Sequence, residues 1–390
     1  MNLTITPGRL AGTVTPPPSK SQAHRCLIAA ALAGGGSEVR NLADSQDIEA
    51  TRRCLSELKT NSSALPHFDC GESGSTLRFL IPLALALRGG GVFTGRGRLM
   101  ERPQKPYFDL FDEKGVRYEQ RDGVLTLAGA LTPGTYRLPS SVSSQFVTGL
   151  LYALPLLEGD SEIVLTSPLE SRGYVDMTLE TLEAFGIRVE RDGEGFRIPG
   201  GQAYRPSVVT VESDWSQAAF WYAARNLGSR IEIQNMNPRS AQGDRIAAHW
   251  AAVLAESGEV EAGLSGCPDL APPLAVMAAV REGTARLTGA ARLRLKESDR
   301  LATITAALTA LGASVEEHPD SLTIRGVPWL AGGTADCCND HRIAMMAAIA
   351  ATRCQAPVTL LGAECVAKSY PAFWADYRSL GGIIHEHSGQ

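Results

Sequence analysis

Residues 19–36 read SKSQAHRCLIAAALAGGG: a polar start, Ser19-Lys20-Ser21, runs into small apolar residues and stops on Gly34-Gly35-Gly36. The pattern recurs. Glu72-Ser73-Gly74-Ser75 leads into LRFLIPLALALRGGG, and Ser143-Ser144-Gln145 into FVTGLLYALPLLEG. Asp214-Trp215-Ser216-Gln217 leads into AAFWYAARNLG, Pro268-Asp269 into LAPPLAVMAAVREG, and Asn339-Asp340-His341-Arg342 into IAMMAAIAA. Neighbouring copies lie about 55 to 70 residues apart, the spacing of a repeated supersecondary unit. A helix that is apolar nearly all round belongs inside a domain.

Each such helix is followed by a β-type stretch, as in SEVRNL, EIVLTSP, SRIEIQNM, TARLTGA and PVTLLG. A second, two-faced helix comes next, as in DMTLETLEAFG and DRLATITAALTALG, and this type should lie outside. Three copies add a hairpin: GVRYEQRDGVLTLAG, GIRVERDGEGFRIPG and GASVEEHPDSLTIRG, with turns at Asp122-Gly123 and Asp192-Gly193. Six buried helices are too many for one core of this length, so the natural partition is two domains of three units. The breaks fall at Pro16-Pro17-Pro18 and near Val211 to Ser213. They give one domain of residues 19–212 and another of residues 1–18 with 213–390. A chain that crosses twice predicts a cleft that closes, with the active site inside it.

The net charge of −5 in 390 residues argues against a general nucleic-acid or membrane-surface binder. Hydrophobic content of 44% and charged content of 20% are ordinary for a chain with a real core. The eight cysteines show no ligand spacing, so reduced thiols are expected rather than a zinc site or a disulfide framework. Met1 to Leu10 reads as a strand and turn without an apolar h-region, so neither a secretory nor a plastid-type leader is expected. The longest apolar run, Phe79 to Leu87, falls far short of the roughly 20 residues a membrane span needs. A cytoplasmic location is expected.

Cations gather where helix starts already carry partial positive charge, at Lys20, Arg25, Arg78 and His341-Arg342. Lys296 and Arg300 share a face at i,i+4 spacing. Singly, each is explained by a neighbouring carboxylate. Together they fit a cationic cleft for phosphate and carboxylate groups. Ser21, Ser143, Ser144 and Ser171 are short donors suited to phosphate oxygens, or helix caps.

These residues form an ordered series. Pro18-Ser19-Lys20-Ser21 with Arg25, Gly74-Ser75-Thr76 with Arg78, Glu101-Arg102-Pro103 and Ser143-Ser144-Gln145-Phe146 come first. Pro268-Asp269, Lys296-Glu297-Ser298-Asp299-Arg300, Asn339-Asp340-His341-Arg342 and Lys368 in VAKSYP complete it. The series resembles the 5-enolpyruvylshikimate-3-phosphate synthase family, and it covers nearly the whole chain.

The resemblance implies an α/β fold of two domains, each of three βαβαββ units with buried parallel helices. It implies transfer of the enolpyruvyl group of phosphoenolpyruvate to the 5-hydroxyl of shikimate 3-phosphate, on the route to chorismate and aromatic amino acids. No metal or organic cofactor is implied, and a monomer is expected with these small molecules as its partners. Shikimate 3-phosphate falls to Lys20, Ser21, Arg25, Ser143, Ser144, Gln145, Ser171, Asp269 and Lys296. Phosphoenolpyruvate falls to Lys20, Gly74, Arg102, Gln145, Arg300, Arg342 and Lys368. Proton traffic falls to Asp269 and Glu297, with Lys20, a catalytic residue, and Lys368 as partners; which carboxylate is acid and which is base stays open. Gly74 implies sensitivity to glyphosate.

Several positions depart from the family pattern. Glu72 replaces a frequent Asn and should pair with Arg78 or another arginine. Arg292 stands where some members place an Asn that touches the sugar ring. Ser171-Arg172-Gly173-Tyr174 should loosen the backbone, Trp215 replaces a small residue, and Phe79 replaces a proline. Cys337-Cys338 could confer oxidant sensitivity if exposed. The rival transferase on this fold, acting on UDP-N-acetylglucosamine, has Lys-Asn where this chain has Lys20-Ser21 and carries a catalytic Cys on a Gly-rich loop. A non-catalytic anion-binding homologue is the other alternative; retention of both carboxylates argues against it.

Overall fold

The computed structural model describes residues 1–60, 64–139, 143–193 and 195–387. Twelve α-helices lie among the described residues: α1 Lys20–Leu32, α2 Gln46–Lys59, α3 Gly74–Arg88, α4 Lys105–Lys114, α5 Ser144–Ala153 and α6 Arg172–Ala184. Then come α7 Trp215–Asn226, α8 Ala247–Ala255, α9 Ala271–Ala279, α10 Arg300–Ala310, α11 His341–Ala351 and α12 Phe373–Ser379. The odd-numbered helices are the small-residue type and the even-numbered ones the two-faced type. Contacts divide the chain into a unit of residues 18–211 and a unit of residues 1–17 with 212–390.

Small side chains let the odd helices pack closely. All of α9 and α11 is buried, and nearly all of α5. The even helices show the spacing of one buried face: in α2, Ile48, Thr51, Cys54, Leu55 and Leu58 point inward. Along α1, by contrast, Leu27, Ala30, Ala31 and Leu32 are only half covered. Part of their neighbourhood is a parallel pair of three-residue strands, Glu38–Arg40 and Val208–Thr210, too small to seal a helix.

Caps explain where the odd helices begin. Ser19 accepts the amide of Gln22, Ser73 that of Thr76 and Ser143 that of Gln145. Asp214 accepts the amides of Ser216 and Gln217, and Asp340 that of Arg342. Before α9 the chain makes a 3-10 turn, Pro268–Leu270.

The unit of residues 18–211 has two four-stranded sheets, in which a parallel pair is extended by a hairpin. Asp122 and Gly123 turn the first hairpin with φ of 51° and 75°, the left-handed pair that this tight turn requires. Gly193, with φ of 55°, begins the second turn; Glu194 beside it lies outside the described residues. In the other unit, Ser314–Glu317 and Leu322–Arg325 form the third hairpin. The last sheet is built differently. Asn2–Thr6 lies between Val358–Leu361 and Ile383–His387, antiparallel to both, so the beginning of the chain supplies the strand that the sixth copy lacks. The first copy in each unit has a two-stranded parallel sheet instead, because no hairpin sequence follows α2 or α8.

Candidate active site

In the unit of residues 18–211 the cations sit at helix starts, as the sequence places them. Lys20 opens α1 and reaches Asp47 of α2 at 2.7 Å. Arg25, one turn on, is buried, and its hydrogen bonds go to neutral oxygens: Ser21 O at 2.6 Å, Tyr174 O at 2.8 Å and Thr178 Oγ1 at 2.9 Å. Its guanidinium lies 5.1 Å from the Phe79 ring centroid, a contact that a proline there could not supply. Burial lowers the Arg25 pKa from its ordinary value.

The head of α3 lies among the same groups. Ser75 Oγ accepts Gln145 Nε2 at 3.0 Å, and Gln145 Oε1 accepts Arg78 Nη1 at 2.9 Å. A Cβ on Gly74 would come within 2.6 Å of Arg102 Nη1, so the missing side chain is what admits that guanidinium. Ser143 caps α5, and Ser144 is buried in its first turn. Ser171 is buried ahead of α6 with a left-handed φ of 55°. The carboxylate of Glu72 packs against Gly97.

The other unit concentrates opposite charges. Asp269 receives Arg300 Nη1 at 2.8 Å, Arg342 Nη2 at 3.0 Å and Lys296 Nζ at 3.4 Å. Arg300 also meets Glu297 at 2.6 Å and Asp340 at 2.8 Å. Burial works against charge on Arg300, yet Asp340, Glu297 and Asp269 together hold its pKa above the ordinary arginine value. Arg342 further donates to Ser216 Oγ at 3.0 Å, and Ser216 donates to Asp214 at 2.6 Å. Lys368 Nζ donates to the Asn339 carbonyl at 2.6 Å. Asp269 and Glu297 retain some solvent access, at 17% and 19%, so they are presented as well as held.

The predicted residues therefore fall into two groups, one per unit. Lys20, Ser21, Arg25, Gly74, Arg102, Ser143, Ser144, Gln145 and Ser171 belong to the first. Asp269, Lys296, Glu297, Arg300, Arg342 and Lys368 belong to the second. Sequence reasoning missed Asp47 and Asp340, which pair with Lys20 and Arg300; each sits within a residue or two of a helix start, the one available signal. Among the described residues no His, Cys, Asp and Glu group of three or more could hold a metal ion. None of the described helices is long and apolar enough to cross a membrane.

The family model described as EPSP synthase (3-phosphoshikimate 1-carboxyvinyltransferase) matches residues 5–377. The chain belongs to the EPSP synthase family. A 3-phosphoshikimate 1-carboxyvinyltransferase of Clostridium kluyveri is 45% identical, covering 99% of each chain. One of Clostridium acetobutylicum is 42% identical over 98% of each. An EPSP synthase structure from Acinetobacter baumannii superposes with a TM-score of 0.76 over 99% of this chain and 100% of that one; at 24% identity this likeness speaks for the fold.

The remaining departures from the EPSP synthase pattern have local explanations. Trp215 is buried, donates its indole N–H to Asn237 O at 3.0 Å and stacks on Tyr222. Arg292 donates to Ser265 O at 2.7 Å. Cys337 is buried; Cys338 is exposed, but partial burial and Asp336 raise its thiol pKa, which lowers its reactivity.

Proposed function

We propose that this chain transfers the enolpyruvyl group of phosphoenolpyruvate to the 5-hydroxyl of shikimate 3-phosphate, releasing phosphate. The observation that carries the reading is Asp269 held by Arg300 and Arg342, with Glu297 on the same arginine. Addition bonds the 5-oxygen to C2 of phosphoenolpyruvate and delivers a proton to C3. Elimination takes a proton back from that methyl as phosphate leaves.

Asp269, presented among Lys296, Arg300 and Arg342, takes the hydroxyl proton in this reading. Delivery to C3 then falls to Glu297 or Lys20. Arg102, Arg300, Arg342, Lys20 and Lys368 bind the carboxylate and phosphate of phosphoenolpyruvate, and stabilise charge on the departing phosphate. Gly74 and Gln145 shape the same subsite. Ser21, Arg25, Ser143, Ser144, Ser171 and Lys296 bind shikimate 3-phosphate. In this reading both groups of residues serve the same reaction, and the enzyme is a cytoplasmic monomer.

The test is phosphate release from phosphoenolpyruvate by purified protein, with shikimate 3-phosphate or UDP-N-acetylglucosamine as acceptor. Release that requires shikimate 3-phosphate supports the reading. Release only with the nucleotide sugar, or with neither, overturns it.

A further inference from the structure

Helices α1, α2 and α3 are tied by four buried side chains: His24, Thr51, Thr76 and Ser73. Thr76 Oγ1 donates to Ser73 Oγ at 2.7 Å, and that oxygen also accepts the Thr76 amide at 3.2 Å. Thr51 Oγ1 lies 2.6 Å from Thr76 Oγ1. A hydroxyl has one proton, and that of Thr76 already goes to Ser73, so Thr51 donates to Thr76. The Thr51 proton is thereby committed. In the 2.7 Å contact between Thr51 Oγ1 and His24 Nδ1, the ring nitrogen must donate.

The chain therefore runs one way, from His24 to the cap of α3, and it sets the tautomer. The His24 proton sits on Nδ1, and Nε2 is a lone pair sealed from solvent that meets no hydrogen-bond donor among the described residues. Burial, then Lys20 and Arg25, hold the His24 pKa well below its ordinary value, so the ring stays neutral. A second proton would leave a buried N–H⁺ without an acceptor.

We propose that His24 is a positioning residue: its Nδ1–H, through Thr51 and Thr76, fixes the head of α3 against the head of α1 and so sets the phosphoenolpyruvate subsite. The head of α1 carries Lys20, and the head of α3 carries Gly74 and Ser75, which meet Arg102 and Gln145. Apolar helix faces tolerate small slides; a directional hydroxyl chain does not. The proposal rests on the functional reading above.

Thr51→Val keeps the shape and removes the hydroxyl, leaving a donor on His24 and an acceptor on Thr76 unpaired. The expected result is a KM for phosphoenolpyruvate raised about tenfold, with kcat and the KM for shikimate 3-phosphate within about twofold. Thr51→Ser, which keeps the hydroxyl, restores the wild-type KM, and His24→Asn, which keeps a donor near Nδ1, stays closer to wild type than His24→Leu. An unchanged phosphoenolpyruvate KM in Thr51→Val, or both KM values rising together, overturns the proposal. Independently, ¹⁵N NMR of the His24 ring should show a protonated Nδ1 and a bare Nε2; the opposite tautomer overturns the chain's direction. A wild-type protein inert with both substrates sinks the functional reading and the link to phosphoenolpyruvate, while the tautomer stands or falls on the ring spectrum alone.

Discussion

Arg300 Nε meets the Asp340 carboxylate at 2.8 Å with both side chains sealed from solvent, at 1% and 0% exposure. Asp340 also caps α11 and accepts the Ser298 hydroxyl at 3.0 Å. Asp340→Ala should therefore destabilise the protein by about 3–5 kcal/mol, chiefly by leaving a buried guanidinium less compensated. Urea unfolding measures this, and a midpoint near the wild-type value would contradict it.

Lys20 and Asp47 keep 16% and 12% of their side-chain surface, so their pair is less costly to break than the buried one. Lys20→Met should leave the circular dichroism spectrum intact while cutting turnover by about two orders of magnitude or more. A near-normal kcat would remove Lys20 from the chemistry.

Gly74→Ala places a methyl where Arg102 Nη1 now lies, 2.6 Å from the new carbon. The guanidinium, at the end of a flexible chain, should shift rather than the helix unfold. The expected outcome is a KM for phosphoenolpyruvate raised about tenfold, which equals about 1.4 kcal/mol, with kcat less affected. Glyphosate should inhibit the wild-type protein, with an inhibition constant no weaker than that KM, and inhibit Gly74→Ala more weakly. Equal inhibition of the two would show that Gly74 does not border the inhibitor.

His24 gives a pH dependence of defined sign. Its folded pKa lies well below the unfolded value of 6.5, so between the two the unfolded chain binds the extra proton. Its contribution to stability is therefore fully present above about pH 6.5 and declines as pH falls, by at most about 1.4 kcal/mol per unit. Unfolding free energies from pH 7.5 to 5 should fall less steeply in His24→Asn. Parallel curves for the two proteins would show that His24 is not buried neutral.

The repeat was legible because small-residue helices with capped starts recur at fixed spacing, and Asp122-Gly123 announces its hairpin through the φ values it must adopt. The strand Asn2–Thr6 was readable as a strand but not as the middle of the last sheet, since its partners lie at the far end of the chain. The cations stood out at helix starts, whereas the oxygens that hold them did not. Asp340 reads as one letter of a basic motif, and Thr178, which binds Arg25, is an unremarked hydroxyl 153 residues away. The chain from His24 to Ser73 draws on three helices, and no local pattern joins its members.

The placement of Asn2–Thr6 also bears on how the chain matures as it is made. Thr4 meets Thr359 across the sheet, 355 residues later, so this strand is made long before the residues that pair with either of its edges. Residues 18–211 contain every strand partner they need and can close their own sheets during synthesis. Until its own partners are made, Asn2–Thr6 carries two unpaired β edges, the kind of exposed strand that invites pairing with another chain.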